Sequence, residues 1–116
     1  MFALNIEKRT LSNKYYRKII YTDKFQQLVL MCLEPGEDIP EEKHDGTQFF
    51  RIESGNGFVR IGRQQKILRD GVAFIIPSNK KHYVKNTSKN KPLKLYTIYS
   101  PPQHVDLSYT KRQKNI

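Results

Sequence analysis

The sequence has 116 residues, of which 37% are hydrophobic and 28% charged, and its net charge is +10. This length fits one domain with a single core of modest size. One cysteine, Cys32, excludes an internal disulfide framework, and its place in the apolar run LVLMCL predicts a buried thiol. The basic residues are scattered and are not interleaved with aromatic residues as in nucleic-acid-binding motifs, so we expect no nucleic-acid partner. The positive charge fits a solvated basic surface better than it indicates a partner, and a small anionic ligand is the alternative.

The N-terminal stretch MFALNIEKRT has no sustained apolar core of the kind found in signal peptides. No apolar run approaches the roughly 20 residues that a membrane-spanning helix needs. We therefore expect a soluble, cytoplasmic protein with no membrane partner.

Short apolar and β-branched runs alternate with turn residues along the whole chain. The alternation of Phe2, Leu4 and Ile6 predicts a short strand, and residues 72–76, VAFII, predict a buried one. The turn SGNG at 54–57 predicts a tight hairpin in which 58–61 pairs with 48–53. Further strands are predicted over 15–21, 25–33, 65–68, 82–85 and 93–99, and a turn over 34–39. With no amphipathic helix, this pattern predicts an all-β sandwich or barrel.

Four polar side chains form a candidate metal site: Glu42, His44, Gln48 and His82. Glu42 and His44 are two positions apart and would face the same side of an extended strand. Neutral imidazoles together with oxygen donors suit Mn, Fe, Ni or Zn. By residue type alone, surface or hydrogen-bonded histidines explain the pattern better than a metal site does.

The spacing of residues in the first half of the chain resembles the first cupin motif. That motif is Gly, five residues, His, one residue, His, three or four residues, Glu, six residues and Gly. The chain has, at the same spacing, Gly36, Glu42, His44, Gln48 and Gly55. His44 matches directly, whereas Glu42 replaces a histidine and Gln48 replaces the glutamate.

A second stretch resembles the second cupin motif, which is Gly, five residues, Pro, one residue, Gly, two residues, His, three residues and Asn. The corresponding residues are Gly71, Pro77, Asn79, His82 and Asn86. Asn79 replaces a glycine, and we expect it to adopt the left-handed conformation that the turn needs. Together the two motifs identify the chain as similar to the cupin superfamily, which implies a double-stranded β-helix, or jelly-roll, barrel.

The resemblance extends over residues 13–106 to small single-domain cupins described as mannose-6-phosphate isomerase-like. It implies a single domain over 1–116, a motif core at 36–86, a frayed tail at 107–116 and a homodimer, with the strand at 2–6 as the candidate edge or swapped strand. It also implies a divalent transition metal (Mn, Fe, Ni or Zn) held by His44 and His82, with Glu42 and Gln48 as altered ligands.

Three functions fit this resemblance. The first is a metal-dependent isomerase or epimerase acting on a small sugar or keto acid, with Glu42 as the one candidate catalytic residue. The second is an iron-dependent dioxygenase, and the third is a non-catalytic protein that binds a small ligand. The exchange of ligand types at Glu42 and Gln48 argues against a standard iron dioxygenase.

The alternation of side chains along the predicted strands indicates which residues face the pocket. If Gln48 and His82 point inward, four further side chains do so as well and become candidate substrate-binding residues: Phe50, Ile52, Val84 and Asn86. Tyr96 and Tyr99 lie on opposite faces of their strand. His104 follows the last predicted strand, and we expect it at the surface or over the barrel mouth.

Overall fold

The computed structural model describes residues 1–104 and 109–110. One helix and ten strands occur in this part of the chain. They are α1 (Ile6–Ser12), β1 (Arg17–Thr22), β2 (Gln27–Leu33), β3 (Asp38–Glu42), β4 (Thr47–Ser54), β5 (Gly57–Ile61), β6 (Gln64–Leu68), β7 (Ala73–Ile76), β8 (His82–Asn86), β9 (Leu93–Ser100) and β10 (Tyr109–Thr110). No helix in these residues is long and apolar enough to cross a membrane.

The strands form two antiparallel sheets. The six-stranded sheet has the order β10-β1-β2-β9-β4-β7, and the four-stranded sheet has the order β3-β8-β5-β6. The core lies between them, and β2, β4 and β9 contribute alternate residues to it. In β9 these are Leu93, Leu95, Thr97 and Tyr99, all buried, as the alternation predicts. Cys32 is also buried, as predicted. The prediction of a mostly β, two-sheet fold is confirmed.

The prediction of a strand at residues 2–6 is wrong, because a helix begins at Ile6. The side chain of Asn5 caps this helix by accepting a hydrogen bond from the Lys8 backbone nitrogen at 3.0 Å, and Glu7 lies in the first turn. The helix packs against β9 and β4 on the outside of the six-stranded sheet. The N-terminal segment is therefore not the edge strand proposed for dimerisation, and the homodimer itself stays a prediction.

The predicted hairpin between 48–53 and 58–61 is also wrong, because β4 and β5 belong to different sheets. In β4 both edges are occupied, by β7 and β9, and in β5 both edges are occupied, by β6 and β8. The turn at 54–57 therefore carries the chain from one sheet to the other. The hairpin that does form joins β5 to β6.

Two further strands differ from prediction. β7 was expected to be buried, but Ala73 and Ile75 are exposed because β7 is an edge strand whose outer face is uncovered. β3 begins at Asp38, inside the predicted turn, and it contains Pro40, which an edge strand tolerates.

Within the predicted frayed tail, Tyr109–Thr110 pair with β1. The rest of that tail lies outside the described residues.

Candidate metal site

The candidate site lies at one end of the barrel, where strands of both sheets begin or end. Glu42 is the last residue of β3 and is paired with His82, the first residue of β8. His44 lies in the connection from β3 to β4, and Gln48 is the second residue of β4. The same register places Ile61, the last residue of β5, on the other side of His82. The two motifs are thus brought together by the pairing of β3 with β8.

Glu42, His44 and His82 form a compact cluster, as the spacing predicts. The Oε1 atom of Glu42 lies 3.1 Å from Nε2 of His44 and 3.7 Å from Nε2 of His82. One ligand atom from each residue lies within 4.8 Å of the other two, so the three can hold a metal ion. His82 is fully buried, whereas Glu42 and His44 are partly exposed and open the cluster to solvent.

The orientation of His82 suits a metal ligand. Its Nδ1 lies 3.1 Å from the backbone carbonyl oxygen of Lys80. Because a carbonyl can only accept a hydrogen bond, Nδ1 carries a proton, and in the neutral ring Nε2 keeps a lone pair. That Nε2 atom is buried and has no hydrogen-bond partner among residues 1–104 and 109–110. Metal-binding histidines characteristically use the second ring nitrogen in this way.

Gln48 offers a second buried polar atom without a partner, in this case an oxygen. Its Nε2 donates a hydrogen bond of 2.9 Å to Oγ1 of Thr97, and its Oε1 accepts none from the residues that the structure describes. A buried amide oxygen left unpaired costs about 1–3 kcal/mol, and a cation beside it would remove that cost. The donor set therefore fits a divalent metal, although Gln48 as the fourth ligand stays a prediction.

The carboxyl group of Glu42 is ionised at neutral pH. Burial raises its pKa, but the adjacent imidazoles of His82 and His44 act in the opposite direction, and the pKa lies below its ordinary value. An ionised carboxylate beside two imidazoles is a ligand set that suits Mn, Fe, Ni or Zn.

Tyr99 and His104 adjoin the cluster and were not predicted as site residues. The Tyr99 ring meets His44 edge-on at 5.2 Å between centroids, and its hydroxyl lies 3.1 Å from Nε2 of His104. Burial raises the pKa of Tyr99, so its hydroxyl keeps its proton. Burial and the charge of Arg17 lower the pKa of His104 to about 4, so its ring is neutral.

His104, expected at the surface or over the barrel mouth, is half-buried beside Tyr99. The Gln27 side chain fixes the backbone at this position, because its Oε1 accepts a hydrogen bond of 3.0 Å from the His104 nitrogen. This contact holds the imidazole half-buried against Tyr99. The alternation of β9 already places Tyr99 on the same face as Thr97, and that signal could have identified Tyr99 as a site residue.

The four candidate substrate-binding residues all face the interior and are fully buried. The Phe50 ring stacks on Phe74 and meets His82 edge-on at 6.2 Å. Ile52 and Val84 belong to the core. The Asn86 amide donates hydrogen bonds to two backbone carbonyl groups at the far end of β8, Leu33 at 2.9 Å and Lys91 at 2.8 Å. Their inward orientation is confirmed, and their contact with a substrate stays a prediction.

The turn before His82 takes the conformation expected from the second motif. Asn79 has φ 61°, in the left-handed region where the motif has glycine. Its backbone nitrogen donates a hydrogen bond of 2.7 Å to the carbonyl oxygen of His44. This bond links the turn before His82 to the backbone of His44.

Comparison with known sequences gives one family and two close relatives. The family described as Cupin domain matches residues 29–99. The chain is 43% identical over 108 residues to Uncharacterized protein L612 of Acanthamoeba polyphaga mimivirus, covering 90% of this chain and 68% of that protein. It is 42% identical over 110 residues to Uncharacterized protein YrkC of Bacillus subtilis, covering 89% of this chain and 59% of that protein. The chain thus spans 68% and 59% of the lengths of these two relatives.

Comparison with solved structures shows the same fold. BH2720 from Bacillus halodurans superposes with a TM-score of 0.91 at 39% identity, covering 96% of this chain and 89% of that one. An RmlC-like cupin with a double-stranded β-helix fold from Methanocaldococcus jannaschii superposes with a TM-score of 0.69 at 17% identity, covering 78% and 84%. The similarity to the Methanocaldococcus jannaschii protein shows the fold alone. This chain belongs to the cupin domain family.

Proposed function

We propose that this cupin binds one divalent transition metal through Glu42, His44 and His82, with the Gln48 amide oxygen as fourth donor. We further propose that it catalyses an isomerase- or epimerase-type reaction on a small sugar or keto acid. The observation that carries the proposal is the buried Nε2 of His82, which has no hydrogen-bond partner and faces Glu42 at 3.7 Å. The absence of a partner is costly unless a ligand supplies one.

Different side chains of this protein serve different roles at such a site. The Lys80 carbonyl orients the His82 ring through Nδ1, and the Tyr99 ring packs against the His44 ring. When bound, a divalent metal supplies Lewis-acid polarisation of a carbonyl group. Tyr99 keeps its proton and can donate a hydrogen bond, because burial raises its pKa. Glu42 is ionised, so it serves either as a ligand or as the base that removes a proton beside the carbonyl.

Solvent deuterium exchange tests the reaction class. Isomerisation and epimerisation both remove a proton next to a carbonyl group, so the metal-loaded protein in D₂O should place deuterium at that carbon. Proton NMR of a panel of aldoses, ketoses and keto acids reads this out, with the metal-free protein as control. If no member of the panel exchanges faster with the loaded protein than with the metal-free protein, the assignment of this reaction class is wrong.

The ligand set gives one reason to keep a second candidate, an iron-dependent dioxygenase. Two histidines and one carboxylate form the ligand set of non-haem iron oxygenases. Oxygen uptake by the Fe(II)-loaded protein with the same panel separates the two reactions. Oxygen uptake without deuterium exchange would favour the dioxygenase over the isomerase or epimerase. Binding of panel members with neither signal would assign the third predicted function, ligand binding without turnover.

A further inference from the structure

A groove of about 480 Å³ lies at the same end of the barrel as the candidate metal site. It runs between the tip of the β5–β6 hairpin and the segment 77–81 that connects β7 to β8. Its apolar wall is formed by Ile61, Ile75 and Pro77, and its polar side by Gln64, Lys80 and Lys81. This volume falls within the range of small-molecule sites. We call this feature the Lys80–Lys81 groove.

The groove carries positive charge without a matching acid. Lys80 and Lys81 are both exposed, and neither takes part in an ion pair among residues 1–104 and 109–110. The side chain of Asp45, on the neighbouring loop, is engaged elsewhere and accepts a hydrogen bond from Gln103 at 3.3 Å. The segment is held in place by Ser78, whose hydroxyl donates to the Asp45 carbonyl at 2.7 Å. Two lysines on an anchored turn favour an anionic group.

The groove is connected to the metal cluster through two residues. Ile61, in its apolar wall, is the cross-strand partner of His82. The carbonyl oxygen of Lys80, at its charged end, accepts the hydrogen bond that orients the His82 ring. The lining of the groove therefore includes two residues that adjoin His82, and a molecule seated there would contact both of them.

We propose that the Lys80–Lys81 groove binds a small organic anion, a carboxylate or phosphate ester with an apolar body, as the substrate of the neighbouring metal site. Its anionic group lies at Lys80 and Lys81, and its apolar part lies against Ile61, Ile75 and Pro77. The role of this molecule as substrate rests on the proposed function, whereas its binding does not.

Amide NMR titration of the metal-free protein tests the binding. The probes are phenyl phosphate, benzoate, inorganic phosphate and benzyl alcohol. Phenyl phosphate or benzoate should saturate shifts at Gly62, Lys80 and Lys81, and the tighter of the two identifies the preferred anion. Inorganic phosphate, which lacks the apolar part, and benzyl alcohol, which lacks the charge, should each bind more weakly. Absence of saturable binding by both phenyl phosphate and benzoate overturns the proposal.

Paired variants show whether the lysines act locally or through net charge. Lys80→Gln with Lys81→Gln should weaken binding of the preferred anion about tenfold, the loss expected for two exposed charge contacts. Lys89→Gln with Lys91→Gln makes the same change in net charge on exposed lysines beyond Asn86, at the opposite end of β8, and should leave the affinity within about twofold. Equal losses in the two double variants would overturn the local site.

A second pair tests the apolar wall. Ile75 is 62% exposed in the groove, and Ile67 is 60% exposed on β6 outside it. Ile75→Thr should weaken phenyl phosphate or benzoate about threefold and leave inorganic phosphate unchanged, whereas Ile67→Thr should change neither. Both variants keep a β-branched residue at an exposed position, so both should fold. Equal effects of the two variants would show that Ile75 is not part of the site.

The metal and the anion are measured separately, so the two proposals can fail independently. Anion binding in a protein that takes up no metal would refute the proposed function and leave the groove as a ligand site. Metal uptake without anion binding would refute the groove and leave the metal site.

Discussion

Gln48 distinguishes this site from the usual cupin pattern, because it places a neutral amide where the first motif has glutamate. Gln48 is 2% exposed, and its Oε1 has no partner in the part of the chain that the structure describes. Replacing it with glutamate adds a buried carboxyl group, whose negative charge a bound cation would compensate. Gln48→Glu should therefore lower the stability of the metal-free protein by about 1–3 kcal/mol and tighten metal binding about tenfold.

Thermal unfolding followed by circular dichroism, with and without added Mn²⁺ or Zn²⁺, measures both effects. Gln27→Glu is the matched control, because Gln27 is also a fully buried glutamine but lies in β2 and contacts Thr22 and His104. Gln27→Glu should lower the stability, and added metal should not restore it. If metal fails to restore Gln48→Glu beyond the level of this control, Gln48 does not face the metal.

Glu42 supplies the cluster's only negative charge. Its Oε1 lies between the two imidazoles, so Glu42→Gln keeps the shape of the side chain and removes the charge. We expect metal affinity to fall at least about tenfold, measured by isothermal titration calorimetry. Glu41→Gln makes the same change at the adjacent exposed residue and should have no effect. An unaltered affinity in Glu42→Gln would show that this carboxylate is not a ligand.

The β3–β4 connection positions His44 by packing closely on the end of β9. Gly46 lies in this connection, and a Cβ atom there would stand 2.1 Å from the carbonyl oxygen of Ser100. Gly46→Ala should displace the connection and with it His44, lowering both stability and metal affinity. Gly36→Ala is the control, because Gly36 has φ +80° and nothing within 4 Å of a Cβ. It should lose stability through backbone strain alone, with metal affinity unchanged.

Strand positions could be predicted from local sequence, but strand partners could not. The two-residue alternation of β9 identifies its buried face directly, whereas the partner of β5 depends on the competition between β4 and β8 for its edges. The helix at Ile6–Ser12 forms where alternating apolar residues predict a strand, and the Asn5 side chain caps its first turn. Tertiary context decides such short segments.

The metal cluster was predictable because the residues of both motifs keep fixed spacings that the barrel converts into proximity. The pairing of Glu42 with His82 across β3 and β8 is what makes sequence spacing sufficient. His104 shows the limit of this reasoning, since Gln27, 77 positions earlier in the chain, fixes its backbone. No local pattern reports a contact of that range.

On the scale of the whole barrel, the two sheets bring the metal cluster and the Lys80–Lys81 groove to the same end. Exposed Lys89 and Lys91 lie beyond the other end of β8, so the net charge of +10 is spread over the surface. Two effects can therefore be distinguished: the net positive charge favours any anion, whereas Lys80 and Lys81 favour an anion in the groove that they line. The variants proposed above make the same separation by experiment.

Metal stoichiometry tests the central claim most directly. Protein stripped with a chelator should bind one equivalent of Mn²⁺, Fe²⁺, Ni²⁺ or Zn²⁺ by calorimetry and elemental analysis, and its melting temperature should rise because the metal binds only the folded state. His82→Ala should keep the β-sheet circular dichroism spectrum and lose both the equivalent of metal and the rise in melting temperature. Uptake of a full equivalent by folded His82→Ala, or no uptake of any of these metals by the native protein, would contradict the account.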